Sequence, residues 1–138
     1  MRFVTFKTNF DSRGCLTVGE FGKEIPFHVK RCYVLHDIKS DRGGHAHRKT
    51  RQLIFAASGT ASLVLNNGSM EKCFELVSPK NAVLIEPMTW IKLNKMSENT
   101  VLVVLASSVY NPAFSIHNFD QFLMEVNEGR GSENQDSK

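Results

Sequence analysis

Two histidines two residues apart, His45 and His47, stand in the run Arg42-Gly43-Gly44-His45-Ala46-His47-Arg48-Lys49-Thr50-Arg51-Gln52. Side chains alternate along a β-strand, so on a strand both imidazoles share one face. In a barrel that face is the interior or the exterior, and Gly43, Gly44 and Ala46 leave room for a ligand against the pair. Imidazole titrates near neutral pH and can act as acid, base or metal ligand. Two imidazoles are too few for a typical catalytic metal, which has at least three protein ligands. An exposed polar edge is the competing reading of a bare His-x-His. The surrounding charge favours a site. Between Lys30 and Arg51 seven basic residues face two acidic ones, an excess of five that is larger than the net charge of +3 of all 138 residues. Such a local field selects an anionic ligand. Nucleic acid fits poorly, because its binding modules carry a more basic balance, interleaved aromatics and a recognisable motif.

The elements that must hold these residues are strands. Period-two patterning predicts them at Arg2–Lys7, Cys15–Phe21, Lys30–His36, Gly44–Arg48, Gln52–Ala57, Thr60–Asn66, Lys72–Leu76, Ala82–Glu86, Trp90–Asn94 and Thr100–Ala106. Ser58-Gly59 and Asn66-Asn67-Gly68 mark tight turns. Val101–Leu105 is a continuous apolar run, as expected of a strand buried on both faces. About ten short strands at this spacing imply a closed or sandwiched antiparallel β fold. One helix closes the chain: Phe119, Phe122, Leu123 and Val126 fall at i, i+3, i+4 and i+7, with Asn118 as cap.

Length and composition set the outer limits. With 41% hydrophobic residues the chain can build one core, expected over residues 1–126, and 127–138, without an aliphatic or aromatic side chain, reads as a disordered tail. No apolar run approaches the ~18–20 residues of a membrane span, and Met1–Lys7 alternates rather than forming a signal-peptide block. Cys15, Cys32 and Cys73 are odd in number and lack CxxC spacing, so no disulfide framework or zinc knuckle is indicated. The expectation is a soluble cytoplasmic protein.

The central segment resembles the first motif of the cupin superfamily, in which a glutamate follows His-x-His by three or four residues. Here Arg51 and Gln52 stand at those positions, and a cation there is hostile to a divalent metal. The second cupin motif supplies a histidine after a proline, but Pro87 is followed by Met88-Thr89-Trp90-Ile91-Lys92-Leu93. The site is therefore expected to hold no metal. Arg42–Lys49, with Gln52 and the Gly59…Asn66-Asn67-Gly68 spacing, further resembles the sugar 3,4-ketoisomerases, cupin-fold enzymes acting on dTDP-4-dehydro-6-deoxyglucose. Asp11-Ser12-Arg13-Gly14-Cys15-Leu16, Ile25-Pro26-Phe27, Lys30-Arg31-Cys32-Tyr33 and Val103-Val104-Leu105-Ala106-Ser107 extend the likeness from Phe3 to Phe122.

The resemblance implies an all-β cupin, a double-stranded β-helix (jelly-roll) barrel with one short C-terminal helix. It implies a homodimer, commonly with exchanged N-terminal strands, and no cofactor. The ligand it implies is a dTDP-linked 4-keto-6-deoxyhexose on the way to an amino-deoxy sugar of a bacterial surface glycan. His45 and His47 become the acid/base candidates, with Tyr33 and Arg42 beside them; Arg13, Arg31, Arg48, Trp90 and Gln52 become substrate contacts. Trp90 is equally readable as core, His28 and His36 as edge or loop residues, and Phe3, Phe6, Phe10, Phe21 and Phe27 as core or dimer packing. The chain departs from the family at Ile91, Arg51 and Tyr110–His117. Competing readings are a non-catalytic cupin module binding a sugar nucleotide or partner enzyme, and a metal-dependent cupin such as a dioxygenase.

Overall fold

The computed structural model describes the backbone of residues 1–136 and the side chains of residues 1–130. Twelve strands run in chain order: β1 Arg2–Thr5, β2 Lys7–Asp11, β3 Gly14–Val18, β4 Arg31–Leu35, β5 Arg42–His47, β6 Gln52–Ser58, β7 Ala61–Asn66, β8 Glu71–Leu76, β9 Asn81–Ile85, β10 Trp90–Asn94, β11 Val101–Ala106 and β12 Ser115–Ile116. Helix α1 follows over Phe119–Asp136. Two antiparallel five-stranded sheets, ordered β1-β9-β6-β11-β4 and β12-β5-β10-β7-β8, form the body, and β2-β3 is a separate hairpin. This is the expected all-β jelly roll.

Alternation decides which side chain goes where. Ile54, Val83, Ile85, Leu102 and Val104 of the first sheet meet Leu63, Leu65, Leu76, Ile91 and Leu93 of the second. The opposite face of the first sheet, through Val4, Leu53, Ala82 and Leu84, is covered by Phe6, Ile25 and Phe27. β9 is thus buried on both faces, and so is β6 over residues 53–56, with Leu53 on one side and Ile54 and Ala56 on the other. β11, expected in that role, buries Leu102 and Val104 but leaves Val101 and Val103 half-covered, because the N-terminal segment reaches only part of its outer face. Each fully buried Leu contributes roughly 1.5–3 kcal/mol, and Leu63, Leu65, Leu76 and Leu102 are all at 0% exposure.

Two glycines are required by the backbone. Gly59 turns β6 into β7 at φ +72, and a Cβ there would lie 2.7 Å from the Thr100 Cα. Gly43 has φ +104, and its Cβ would lie 2.8 Å from the Lys92 Cα. It sits where the β5–β10 register slips between Ile91 and Lys92, a bulge that bends β5 as it enters the site. Gly43 therefore serves the bulge, and it also lines the cavity described below.

Asn118 caps α1 as expected, its side-chain oxygen accepting from the Gln121 N–H at 2.9 Å. The helix is longer than predicted: its backbone continues to Asp136, where a tail was expected from Asn127. Packing ends near Val126, and residues 127–130 are exposed. A solvated helix needs no apolar face to keep its i→i−4 hydrogen bonds, so the last apolar residue underestimates its length. Ser137 and Lys138, also in the expected tail, lie outside the described residues. Strands β2 and β12 were not anticipated: β2 merges with β1 in a pattern of period two, and β12 has only two residues.

Phe122 is fully buried against Trp90 and Phe119, with ring centroids 5.7 and 5.9 Å away. Phe122→Ala should lower the unfolding free energy by about 3–5 kcal/mol, read from urea denaturation, while Met124→Ala on the exposed face should leave the midpoint nearly unchanged.

Candidate active site

A cavity of about 470 Å³ opens between the two sheets at one end of the barrel. β5 runs along its wall. His45 and His47 face the cavity and Ala46 faces away, fully buried with Trp90, Ile116 and Phe122 under α1. The imidazoles stand edge to face with centroids 5.0 Å apart. Neighbouring strands obey the same alternation. Ile91 is opposite His45 and lines the cavity, whereas Trp90 is opposite Ala46. Ser115 is opposite His47 and lines the cavity, whereas Ile116 is opposite Ala46.

The facing sheet supplies Tyr33 from β4 and Gln52 from β6. Gln52 is 1% exposed, and its amide donates to the Tyr33 hydroxyl oxygen at 2.8 Å. That bond occupies an acceptor site of the phenol and leaves its own proton available for the cavity. Burial raises the Tyr33 pKa, so the phenol stays protonated. Ile54, Ile85, Leu93 and Val104 form an apolar floor.

Burial also governs the histidines. His47 is lowered from its ordinary 6.5 to about 4, first by desolvation and then by His45, Arg31 and His117. His45 is lowered first by desolvation and next by His117. Both are neutral at pH 7, the form that accepts a proton. Nε2 of His47 and Nε of Arg31 are buried with no hydrogen-bond partner among the described residues. Arg31 lies between two rings, 5.4 Å from the centroid of Tyr33 and 5.7 Å from that of Tyr110, an arrangement that holds a guanidinium without a carboxylate. Arg42 lines the mouth.

The structure thus brings His45, His47, Tyr33, Arg42 and Gln52 to one cavity, with Arg31 adjoining. It separates three other predicted residues from them. Arg48 turns to α1, where its Nε and Nη2 donate to the Glu125 carboxylate at 2.8 and 2.9 Å and its Nη1 donates to the Ala113 and Ser115 carbonyls; Glu125 is lowered to about 2 by this pair. Trp90 is a core residue beneath α1, because it lies on the Ala46 side of the sheet. Arg13 lies at the tip of the β2–β3 hairpin, bonded to Asp11 and 88% exposed. The basic cluster is also partly spent within the fold. Arg51 pairs with Glu86 through two contacts of 2.9 Å and donates to the Pro26 carbonyl, and Lys49 lies over Phe114.

Asp41, Tyr110, Ser115 and His117 also line the cavity; the sequence marked Tyr110–His117 as a departure from the family but named none of the four as a site residue. The alternation Ser115-Ile116-His117 was a usable signal, obscured by the brevity of β12. His28 stacks on Phe21 and His36 pairs with Asp37, neither in the cavity wall. Among the described residues no group of three or more His, Cys, Asp or Glu is arranged to hold a metal ion.

Comparison with known proteins gives a consistent result. The family described as "FdtA: WxcM-like, C-terminal" matches residues 1–127. The TDP-4-oxo-6-deoxy-alpha-D-glucose-3,4-oxoisomerase of Aneurinibacillus thermoaerophilus is 34% identical over 123 residues, covering 88% of each chain. A 3,4-ketoisomerase from Helicobacter canadensis superposes with a TM-score of 0.88 at 36% identity, covering 91% of this chain and 96% of that one. QdtA, a sugar 3,4-ketoisomerase from Thermoanaerobacterium thermosaccharolyticum solved with TDP, also reaches 0.88, at 32% identity over 92% and 94% of the two chains.

The depressed histidines tie stability to pH. Between 6.5 and about 4 the unfolded chain binds a proton at His47 that the folded chain resists, so stability falls as pH drops through this window. Urea midpoints measured from pH 7 to 4 should decline, and His47→Gln should flatten the decline.

Proposed function

The chain belongs to the FdtA family, WxcM-like, C-terminal, and we propose that this sugar-nucleotide 3,4-ketoisomerase converts dTDP-4-dehydro-6-deoxy-D-glucose to a dTDP-3-dehydro-6-deoxyhexose. The observation that carries this substrate and mechanism is the neutral imidazole pair on the cavity face of β5, with the His47 Nε2 unpartnered. Relatives support the ligand class: one is named for TDP-4-oxo-6-deoxyglucose, and a variant of QdtA was solved in complex with TDP-4-keto-6-deoxyglucose.

Moving a ketone from C4 to C3 begins at the C3 proton, acidified by the adjacent carbonyl. His47 takes that proton while the C–H electron pair forms the C3=C4 double bond of an enediol. O4 gains a proton, O3 loses one, and C4 is reprotonated, so the hydrogen count is unchanged. His45 stands beside His47 as the second proton-handling group. The Tyr33 hydroxyl, set by Gln52, donates to the oxygen where charge develops. Arg42 at the mouth and Arg31 adjoining supply positive charge for the diphosphate. These steps use only side chains of the chain, so we assign the reaction no metal and no cofactor. The 3-keto product suits a following amine transfer, in keeping with an amino-deoxy sugar destined for a surface glycan.

We assign the working form as a homodimer with exchanged N-terminal strands. A lone two-stranded hairpin is marginally stable in water, and β2–β3 exposes Phe10 at 80% and Leu16 at 62%. Exchange would also give Arg13 a route to the partner's cavity. Three exposed free thiols, Cys15, Cys32 and Cys73, suit the reducing cytoplasm.

Incubated with dTDP-4-dehydro-6-deoxyglucose, the protein should yield the 3-keto sugar, and His47→Asn should cut kcat by ~10²–10⁴-fold with the fold retained by circular dichroism. No product from the wild-type protein, or full turnover by His47→Asn, contradicts the assignment. Light scattering should give about twice the chain mass of 15.6 kDa; a single-chain mass contradicts the dimer.

A further inference from the structure

A third histidine stands in the cavity wall, outside the pair that carries the proposed reaction. His117 immediately follows β12, whose Ser115 and Ile116 pair with His47 and Ala46 of β5. The same register sets residue 117 opposite His45. The His45 and His117 ring centroids are 6.0 Å apart and the His45 and His47 centroids 5.0 Å. His117 is exposed, whereas His45 and His47 are half-buried. Three imidazoles therefore step outward from the buried His47 Nε2 to solvent, at spacings one water can bridge.

We propose that His117 is the solvent-facing end of a proton relay, His47–His45–His117, through which a proton taken from the sugar exchanges with bulk water. The inference rests on the ketoisomerase reading above. When His47 removes the C3 proton it becomes an imidazolium in an environment that disfavours charge, beside Arg31. That proton must leave, and it has two routes. It can return to the enediol at C4, or pass to the His45 nitrogen while His45 releases a proton to His117 and His117 releases one to water. The reverse sequence reloads His47 from solvent, so neither route creates or destroys a proton. Asp41 is the one carboxylate lining the cavity among the described residues and is the alternative exit.

The test is turnover of unlabelled substrate in deuterium oxide, reading the fraction of product with deuterium at C4 by mass spectrometry and NMR. Wild-type product should carry substantial deuterium. His117→Gln should lower that fraction severalfold, with more substrate hydrogen retained, and added imidazole should restore it in His117→Ala. A merely structural role for His117 would lower rate without changing the isotope fraction. An unchanged fraction in His117→Gln, or loss of exchange in Asp41→Asn alone, overturns the relay. Wild-type product without solvent deuterium also overturns it while leaving the ketoisomerase intact. A wild-type protein that makes no 3-keto product instead removes the reading on which the relay rests.

Discussion

Residue alternation along β5 imposes two demands on six residues. One face must present His45 and His47 to a cavity, and the other must bury Ala46 against Trp90, Ile116 and Phe122. A one-residue slip of register would exchange the faces, turning imidazoles into the helix packing and a methyl group toward the ligand. Pairing with β10 on one side and β12 on the other holds the register. The aromatic cluster under α1 weights it further, since the slipped arrangement would bury two polar rings without partners. The site is thus specified by packing on the reverse side of the same strand.

Electrostatics follow from that placement. The imidazoles are held neutral chiefly because the barrel desolvates them. The neighbouring guanidinium groups divide their work. Arg48 and Arg51 bind Glu125 and Glu86 and join the barrel to α1 and to β9's exit. Arg31 keeps its charge at the site by lying between Tyr33 and Tyr110. A cation beside a buried base lowers that base's proton affinity and attracts an anionic ligand at once.

Much of this was legible in the sequence. Period-two patterning located ten of the twelve strands, and His45 and His47 announced their shared face. What the sequence hid has physical causes. The local charge excess did not reveal which cations would find carboxylates, because Glu86 and Glu125 are 35 and 77 residues from their arginines. Trp90 was ambiguous until pairing with Ala46 set its face. β12 is too short to show a period, which concealed Ser115 and His117. The polar half of α1 has no apolar stripe to mark its end.

The central claim is that the half-buried, neutral His47 imidazole, lowered to about 4, is the base that opens the reaction. The pH dependence of kcat/KM tests it most directly, since it reports the essential groups of the free enzyme. The account predicts activity that stays level as pH falls through 6.5 and drops only toward about 4, once stability is controlled. An acid limb centred at 6.5 or above, unmoved by substitution of His47, would contradict it.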